Sequence, residues 1–309
     1  MYTIIGSGFG IYGYLPAIVT GFGGAVVLPH AYEAKLLARA ELSNTLTNIH
    51  WVKDEDAALS QASIVIVAIA PKNQYEMVMR CLNLKNIKEL ILEKPIAATP
   101  AMASSLVAKI NEEKKKYRIG FTFLYLSWTK KLEISKSMVS DTELSITWTF
   151  MANHFYKHLA TWKRSNIQGG GVLRFYGIHL VALLASQGYD GVIESKIEGD
   201  HPDEPFKWQA VFIGPELPKC RVFVDSFSTL KQFEISQNQA GQKRTILSVT
   251  DPFEMEQSDQ YVDSRVGSLI KLINTLKDDD DKYIKLYIGS INLWQKIESI
   301  SLEDGSVKL

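Results

Sequence analysis

Short apolar runs and helical patterns alternate along the first 120 residues. Tyr2–Ile5 is an apolar run that breaks into glycines at Gly6, Gly8, Gly10 and Gly13, and a helix is expected from about Ile11 to Val19. Ala25–Leu28 reads as a second strand, Tyr32–Leu42 as helical, and Ile49–Val52 as a short strand followed by an acidic turn at Asp54, Glu55 and Asp56. Ala62–Ala70 is a nearly unbroken apolar run of the kind buried on both faces of a parallel sheet, and it stops at Pro71. Asn73–Leu82 looks helical, and Glu89–Leu92 is another buried strand, closed by Glu93-Lys94-Pro95. Thr99 then reads as an N-cap and Pro100 as the first residue of a helix running to about Lys116. Strands alternating with helices predict an α/β doubly wound parallel sheet with ligands at the carboxyl ends of its strands.

Beyond Tyr117 the pattern changes. Arg118–Tyr125, Glu143–Phe150, Trp208–Ile213, Arg221–Val224, Gln232–Ile235 and Thr245–Val249 read as closely spaced strands, which predicts an open, mainly antiparallel sheet in an α+β domain. One helix interrupts them, starting after Gly169-Gly170-Gly171 and running through Leu184. The end of the chain predicts two helices, Tyr261–Leu276 and Tyr283–Ser301, with the acidic run from Lys277 to Lys282 as a solvated, metal-free loop. Domains are expected at 1–120 and 121–309, closely joined because no repeat or low-complexity linker separates them.

Composition narrows the function. At 309 residues the chain can bury a large core, and its 34 basic and 34 acidic residues cancel, so no overall field favours nucleic acid or an anionic membrane. Cys81 and Cys220 stand alone, which argues against a disulfide framework or structural zinc and fits a reducing compartment. His154 and His158 share a helical spacing, yet a third ligand is missing and no metal is expected. Neither a leader segment nor a membrane-length apolar run is read, so the expected location is cytoplasmic.

The candidate chemistry begins at the glycine turn. Such a turn lets backbone N–H groups approach a diphosphate at the positive end of a helix. Gly6 to Gly10, Pro71 to Tyr75 and Glu93 to Pro95 should all lie on the ligand edge. The second strand ends in Pro29 and His30, with no acid before Glu33 to meet an adenosine ribose; His30, Lys35 or Arg39 would instead meet a 2′-phosphate. The cofactor reading is therefore NAD or NADP, leaning to NADP.

Three stretches in order, GSGFGIYGYLPAI at the start, LEKP at Leu92–Pro95 and GGGVLRFYGIH at Gly169–His179, resemble the glucose–fructose oxidoreductase, inositol dehydrogenase and MocA (Gfo/Idh/MocA) family. The ending SINLWQKIESISLEDGSVKL resembles that family's last helix and strand. The resemblance implies an N-terminal Rossmann domain that binds nicotinamide dinucleotide and a C-terminal domain for substrate binding and association as a homodimer or tetramer. It implies hydride transfer to or from a hydroxyl or carbonyl carbon of a sugar, nucleotide sugar or related small molecule. Lys94 matches the family's catalytic lysine, whose ammonium would stabilise negative charge on the reacting oxygen. His179 matches the family's histidine, suited to moving the alcohol proton. Cofactor contacts are expected from Gly6, Ser7, Gly8, Phe9, Gly10, Ile11, Ala70, Pro71, Glu93 and Lys94, and substrate contacts from Tyr75, Tyr125, Trp162, Lys163 and Tyr176. Trp162, Lys163 and Arg164 stand where relatives carry a Trp-Arg pair.

The departures from the family are specific. Its aspartate falls on Phe175, four residues before His179; its histidine after the fourth strand is Gln74 or Tyr75; its strand arginine is Leu124; and the histidine of its first helix is Tyr14. Two other readings therefore stand beside the dehydrogenase: a catalytically silent dinucleotide-binding regulator, and a net non-redox reaction in which the cofactor is oxidised and regenerated.

Overall fold

The computed structural model describes residues 1–134, 142–257 and 263–303. The N-terminal elements are β1 (Tyr2–Ile5), α1 (Leu15–Phe22), β2 (Val26–Pro29), α2 (Glu33–Leu37), β3 (Ile49–Val52), α3 (Glu55–Gln61), β4 (Ile64–Val67), α4 (Pro71–Leu82), β5 (Glu89–Leu92), α5 (Pro100–Glu112) and β6 (Lys116–Ile119). The six strands form one parallel sheet in the order β3-β2-β1-β4-β5-β6, the doubly wound topology expected. The order reverses beside β1, so the glycine turn leaves the sheet at its switch point. Three local expectations change. The acidic turn is the start of α3, because Asp54 caps it by accepting a hydrogen bond from Ala57 N at 2.9 Å. The stretch 32–42 is broken into α2 flanked by 3₁₀ turns. Arg118 and Ile119, read as the start of the first strand of the second sheet, instead fall in β6, which closes the parallel sheet, and Thr122–Tyr125 is a 3₁₀ turn.

The remaining elements are α6 (Thr129–Ile134), β7 (Thr142–Met151), α7 (Asn153–Tyr156), α8 (Ile178–Ser186), β8 (Gly191–Glu198), β9 (Lys207–Ile213), β10 (Lys219–Asp225), β11 (Phe227–Gln239), β12 (Gln242–Val249), α9 (Val266–Asn274) and α10 (Asp281–Glu303). The strands form a second sheet, β12-β11-β7-β10-β9-β8, antiparallel except for the β7–β10 pair. Strand β8 was not legible from pattern, because its Glu194, Ser195, Lys196 and Glu198 mask the apolar alternation. Arg174, buried in the turn before α8, donates to both carboxylate oxygens of Glu298 on α10 at 2.7 and 2.9 Å, and Trp294 Nε1 donates to the same carboxylate at 2.7 Å. That pairing satisfies the charge that burial would otherwise penalise. The run Asn166–Ser186 is long and apolar enough to cross a membrane, contrary to the reading that no run is; 78% of its window is buried within the protein, as in a core helix.

Two compact units emerge: Met1–Ala97, Ser105–Tyr125 and Glu256–Tyr283 in the first, and Ala98–Ser104, Leu126–Met255 and the chain from Ile284 in the second. The segment containing α9, expected in the second domain, belongs to the first, where Val266, Leu269, Leu272, Ile273 and Leu276 pack with Ile11, Leu15 and Ile18. The expected helix start at Tyr261 and the expected last strand lie outside the described residues. The acidic run after α9 is not simply a solvated loop. Arg118 of β6 is wholly buried and donates to Asp280 Oδ1 at 2.6 Å, to Thr275 O at 2.6 Å and to Asp278 O at 3.3 Å, while Lys116 Nζ reaches Leu276 O and Asp278 O at 2.8 and 3.0 Å. A guanidinium inside a sheet needs these acceptors, and the run supplies them. Asp280→Asn leaves Arg118 with carbonyl and hydroxyl partners only, and is expected to cost about 2 kcal/mol in urea unfolding. Asp279→Asn, in the same run but facing solvent, is expected to stay within about 0.5 kcal/mol of the parent.

Candidate functional site

The glycine turn is shaped by close approach. Gly6 has φ +122°, and a Cβ there would lie 2.2 Å from Ala68 O; at Gly10 it would lie 2.6 Å from the Ile4 side chain. At Gly8 nothing lies within 4 Å of that position, so the face over the turn is open. The helix then starts with a π-helical stretch, Gly10–Tyr14, that holds no acidic side chain in its first turn. An open glycine face at a helix start fits a dinucleotide diphosphate. Ile11, at the position of the family's third glycine, turns its side chain into the core. Phe9 lies over Gly13, edge-on to Tyr12 and Tyr14, with the Arg265 guanidinium 4.2 Å from its ring centre.

An acid is linked to this turn through Tyr32, and it comes from the start of α3 rather than the end of β2. Gly6 N donates to Tyr32 Oη at 2.9 Å, and Tyr32 Oη donates to Glu55 Oε1 at 3.0 Å; burial raises the phenol's pKa, so the hydroxyl stays protonated. Of the three candidate phosphate-binding side chains, Lys35 meets the turn, donating to Ser7 Oγ at 2.7 Å. His30 pairs with Glu33 and stacks on Trp51, and Arg39 pairs with Glu41 and lies over Tyr12.

Lys94 follows β5, and the turn that carries it is fixed on both sides. Ala70 precedes α4 and Pro71 opens it, which brings Gln74 Nε2 to Glu93 O at 2.8 Å and to Pro95 O at 2.7 Å. The Glu93 carboxylate accepts from Tyr14 Oη at 2.7 Å. A Cβ on Gly120 would lie 2.5 Å from Glu93 Oε1 and 2.8 Å from Tyr14 Oη, so glycine leaves the room this hydrogen bond occupies. Burial raises the pKa of Glu93, and the charge of Lys94 opposes that rise. Tyr14, Gln74 and Gly120 are the supports that sequence reasoning missed; the first two were visible only as departures from family histidines. Tyr75 is half-buried on α4 and Tyr125 ends the 3₁₀ turn after β6, where Lys271 Nζ donates to its carbonyl at 2.9 Å.

In the second unit the triple glycine brings a loop against a helix. A Cβ on Gly170 would lie 2.1 Å from Trp162 O, and Gly171, at φ +79°, donates its N–H to Lys163 O at 2.9 Å. The π-helical stretch Val172–Gly177 follows and leads into α8, which buries His179. Trp162 meets Phe175 edge-on at 5.4 Å between ring centres, and Lys163 Nζ lies 5.3 Å from the Phe175 ring centre. Tyr176 contacts Phe175 and Phe150 at 4.7 Å each and Trp148 at 5.8 Å. Trp162, Lys163 and Tyr176 are thus brought together around the residue that replaces the family aspartate. Arg164 turns elsewhere, pairing with Glu204 and covering the Phe155 ring. His154 is buried in α7, whereas His158 lies exposed beyond its end at φ +51°, so the two share no helix face. Among the described residues no cluster of three metal-ligating side chains occurs.

No curated protein sequence matches the chain. Among solved structures, the WlbA dehydrogenase from Bordetella pertussis, in complex with NADH and UDP-GlcNAcA, superposes with a TM-score of 0.73 at 12% identity, covering 98% of this chain and 95% of that one. GenD2 from gentamicin A biosynthesis, in complex with NAD, gives 0.73 at 12% identity over 98% and 94%. The super-repressor mutant of Gal80p from Saccharomyces cerevisiae gives 0.70 at 13% identity over 98% and 95%. At these identities the likeness is one of fold. Residues 1–121 match the sequence model of an oxidoreductase family with an NAD-binding Rossmann fold. That matched region, which holds the switch-point glycine turn and the Glu93-Lys94-Pro95 edge, is similar to the Gfo/Idh/MocA oxidoreductases.

Proposed function

We propose that this protein is an NAD(P)-dependent oxidoreductase that moves hydride to or from a hydroxyl or carbonyl carbon of a sugar, nucleotide sugar or related small molecule. The observation that carries the reading is the fixed turn around Lys94. Tyr14 holds the side chain of Glu93 and Gln74 holds the carbonyls of Glu93 and Pro95, so the backbone on either side of the lysine is set before substrate arrives. The bound dinucleotide supplies the hydride chemistry, and Gly6, Ser7, Gly8, Phe9, Gly10, Ile11, Ala70, Pro71, Glu93 and Lys94 would hold it. In the forward oxidation Lys94 stabilises the charge that grows on the substrate oxygen, and His179 takes the alcohol proton; in the reduction the same groups work in reverse. Tyr75, Tyr125, Trp162, Lys163 and Tyr176 would contact the substrate. The proposed setting is cytoplasmic, with the protein as a homodimer or tetramer.

The cofactor reading leans to NADP because Lys35 places a cation on Ser7 of the turn, where a 2′-phosphate would add its charge. A second reading, a dinucleotide-binding regulator without turnover, is favoured by Phe175, which can neither hold a hydroxyl nor orient an imidazole. The Gal80p likeness fits that reading as well. Lys94→Ala is expected to lower turnover at saturating dinucleotide by about a hundredfold or more, a loss larger than any change in dinucleotide affinity read by fluorescence titration. Unchanged turnover refutes the role of Lys94. A panel of nucleotide sugars, polyols and ketones assayed by nicotinamide absorbance separates the two readings: NADPH binding with no absorbance change on any substrate favours the regulator. Lys35→Ala is expected to weaken NADPH binding about tenfold and NADH binding little, in the same titration. Equal losses for both remove the lean to NADP.

A further inference from the structure

Phe175 removes a carboxylate from the region of the chain that the proposed function assigns to substrate, and a different element restores a polar group beside it. His154 lies in α7, directly after β7, with Ala152 in extended conformation turning the chain and Leu159 N donating to His154 O at 2.9 Å to close the short helix. Its imidazole stacks on Tyr176, with ring centres 6.0 Å apart and planes 22° off parallel, and stands 6.4 Å from the Phe175 ring at 71°. His154 is 5% exposed, yet among the described residues its ring nitrogens make no hydrogen bond. Phe175, Tyr176, Trp162 and Lys163 around it are each partly exposed.

A histidine buried to this degree normally has both nitrogens satisfied, because an unpaired buried polar group costs as much as a lost hydrogen bond. An imidazole left unpaired by the described residues, beside half-exposed rings, is arranged for a partner that is not part of the chain. Burial, reinforced by the positive charges of Lys163 and Arg164, lowers the His154 pKa to about 4. At neutral pH the ring is therefore uncharged, with one nitrogen donating and the other accepting. Flat aromatic faces with one convergent donor–acceptor pair match a hydroxylated ring: its C–H face lies against Phe175 or Trp162, and a hydroxyl can both give and take a hydrogen bond.

We propose that His154 is a substrate-binding residue that hydrogen-bonds a ring hydroxyl of a saccharide or cyclitol lying against the aromatic ring of Phe175 or Trp162. The assignment rests on the sugar-directed reading above but is tested without turnover. Imidazole NMR signals of the whole protein are recorded at neutral pH, and that of His154 is identified by its loss in His154→Asn. Glucose, myo-inositol and UDP-glucose are titrated, with UDP as the control for the nucleotide part. At least one of the three is expected to shift the His154 signal while UDP does not; no shift with any of them, or the same shift with UDP, overturns the proposal. For the probe that shifts it, His154→Phe, which keeps a flat ring and loses both nitrogens, is expected to weaken binding about tenfold. His154→Asn, which keeps a donor and an acceptor, is expected to stay within about threefold. Equal affinity for the Phe variant overturns the assignment even if the dehydrogenase reading stands. Wild-type protein that binds the sugar through His154 but leaves nicotinamide absorbance unchanged would refute the dehydrogenase reading alone.

Discussion

The hydrogen bond from Tyr14 to Glu93 is the constraint on which the first unit's site depends. It joins the end of the π-helical stretch that follows the glycine turn to the residue just after β5, and it does so where burial has raised the carboxylate's pKa. A carboxylate there without a donor would carry the full desolvation cost. With Tyr14 it becomes a fixed strut, and Lys94 next to it adds the charge that offsets the burial. Gly120 is part of the same arrangement, since any side chain at that position would meet both oxygens of the bond. Gln74 completes it from α4 with two bonds to carbonyls that flank the lysine. The backbone around the catalytic candidate is thus held by two helical elements, one strand end and a glycine.

The second unit uses one buried ion pair in a comparable way. Arg174 immediately precedes Phe175, and its two bonds to Glu298 fix the π-helical stretch against α10. The register of Phe175 and Tyr176 follows from that anchor, and so does the start of α8 that leads to His179. The triple glycine has the complementary role. With no side chains at Gly170 and Gly171, the Trp162–Lys163 backbone can lie against the turn, and both side chains then reach Phe175.

The parallel sheet was legible because its strands are apolar on both faces, β4 above all, and the glycine turn and Glu93-Lys94-Pro95 were legible because their positions follow strand ends. What escaped was either short or distant in sequence. Helix α3 is seven residues long and begins with acids that also suit a turn; only the Asp54 cap distinguishes them. Strand β6 contains Arg118, which breaks the apolar pattern, and its partners lie more than 150 residues later in a run that looks fully solvated. Helix α9 has no local feature that assigns it to the first unit; its apolar face is completed by α1. Tyr14, Gln74 and Gly120 act through contacts across the fold, so in the sequence they read only as departures or as one more glycine.

Phe175 illustrates how a site can change chemistry without changing scaffold. The replaced aspartate would have been a charged acceptor on the helix that carries His179, and a phenylalanine there leaves an apolar face. That face is not isolated: Trp162, Tyr176 and His154 converge on it, and Lys163 covers it with a cation. A carboxylate at position 175 would sit beside Lys163 as an ion pair, which competes with a neutral hydroxyl for the same donors. An aromatic ring there leaves the ammonium on a π face and lets a neutral imidazole from α7 meet the substrate instead. The exchange trades a fixed negative charge for stacking area plus one donor–acceptor pair. It thereby favours uncharged, ring-shaped ligands over cationic ones.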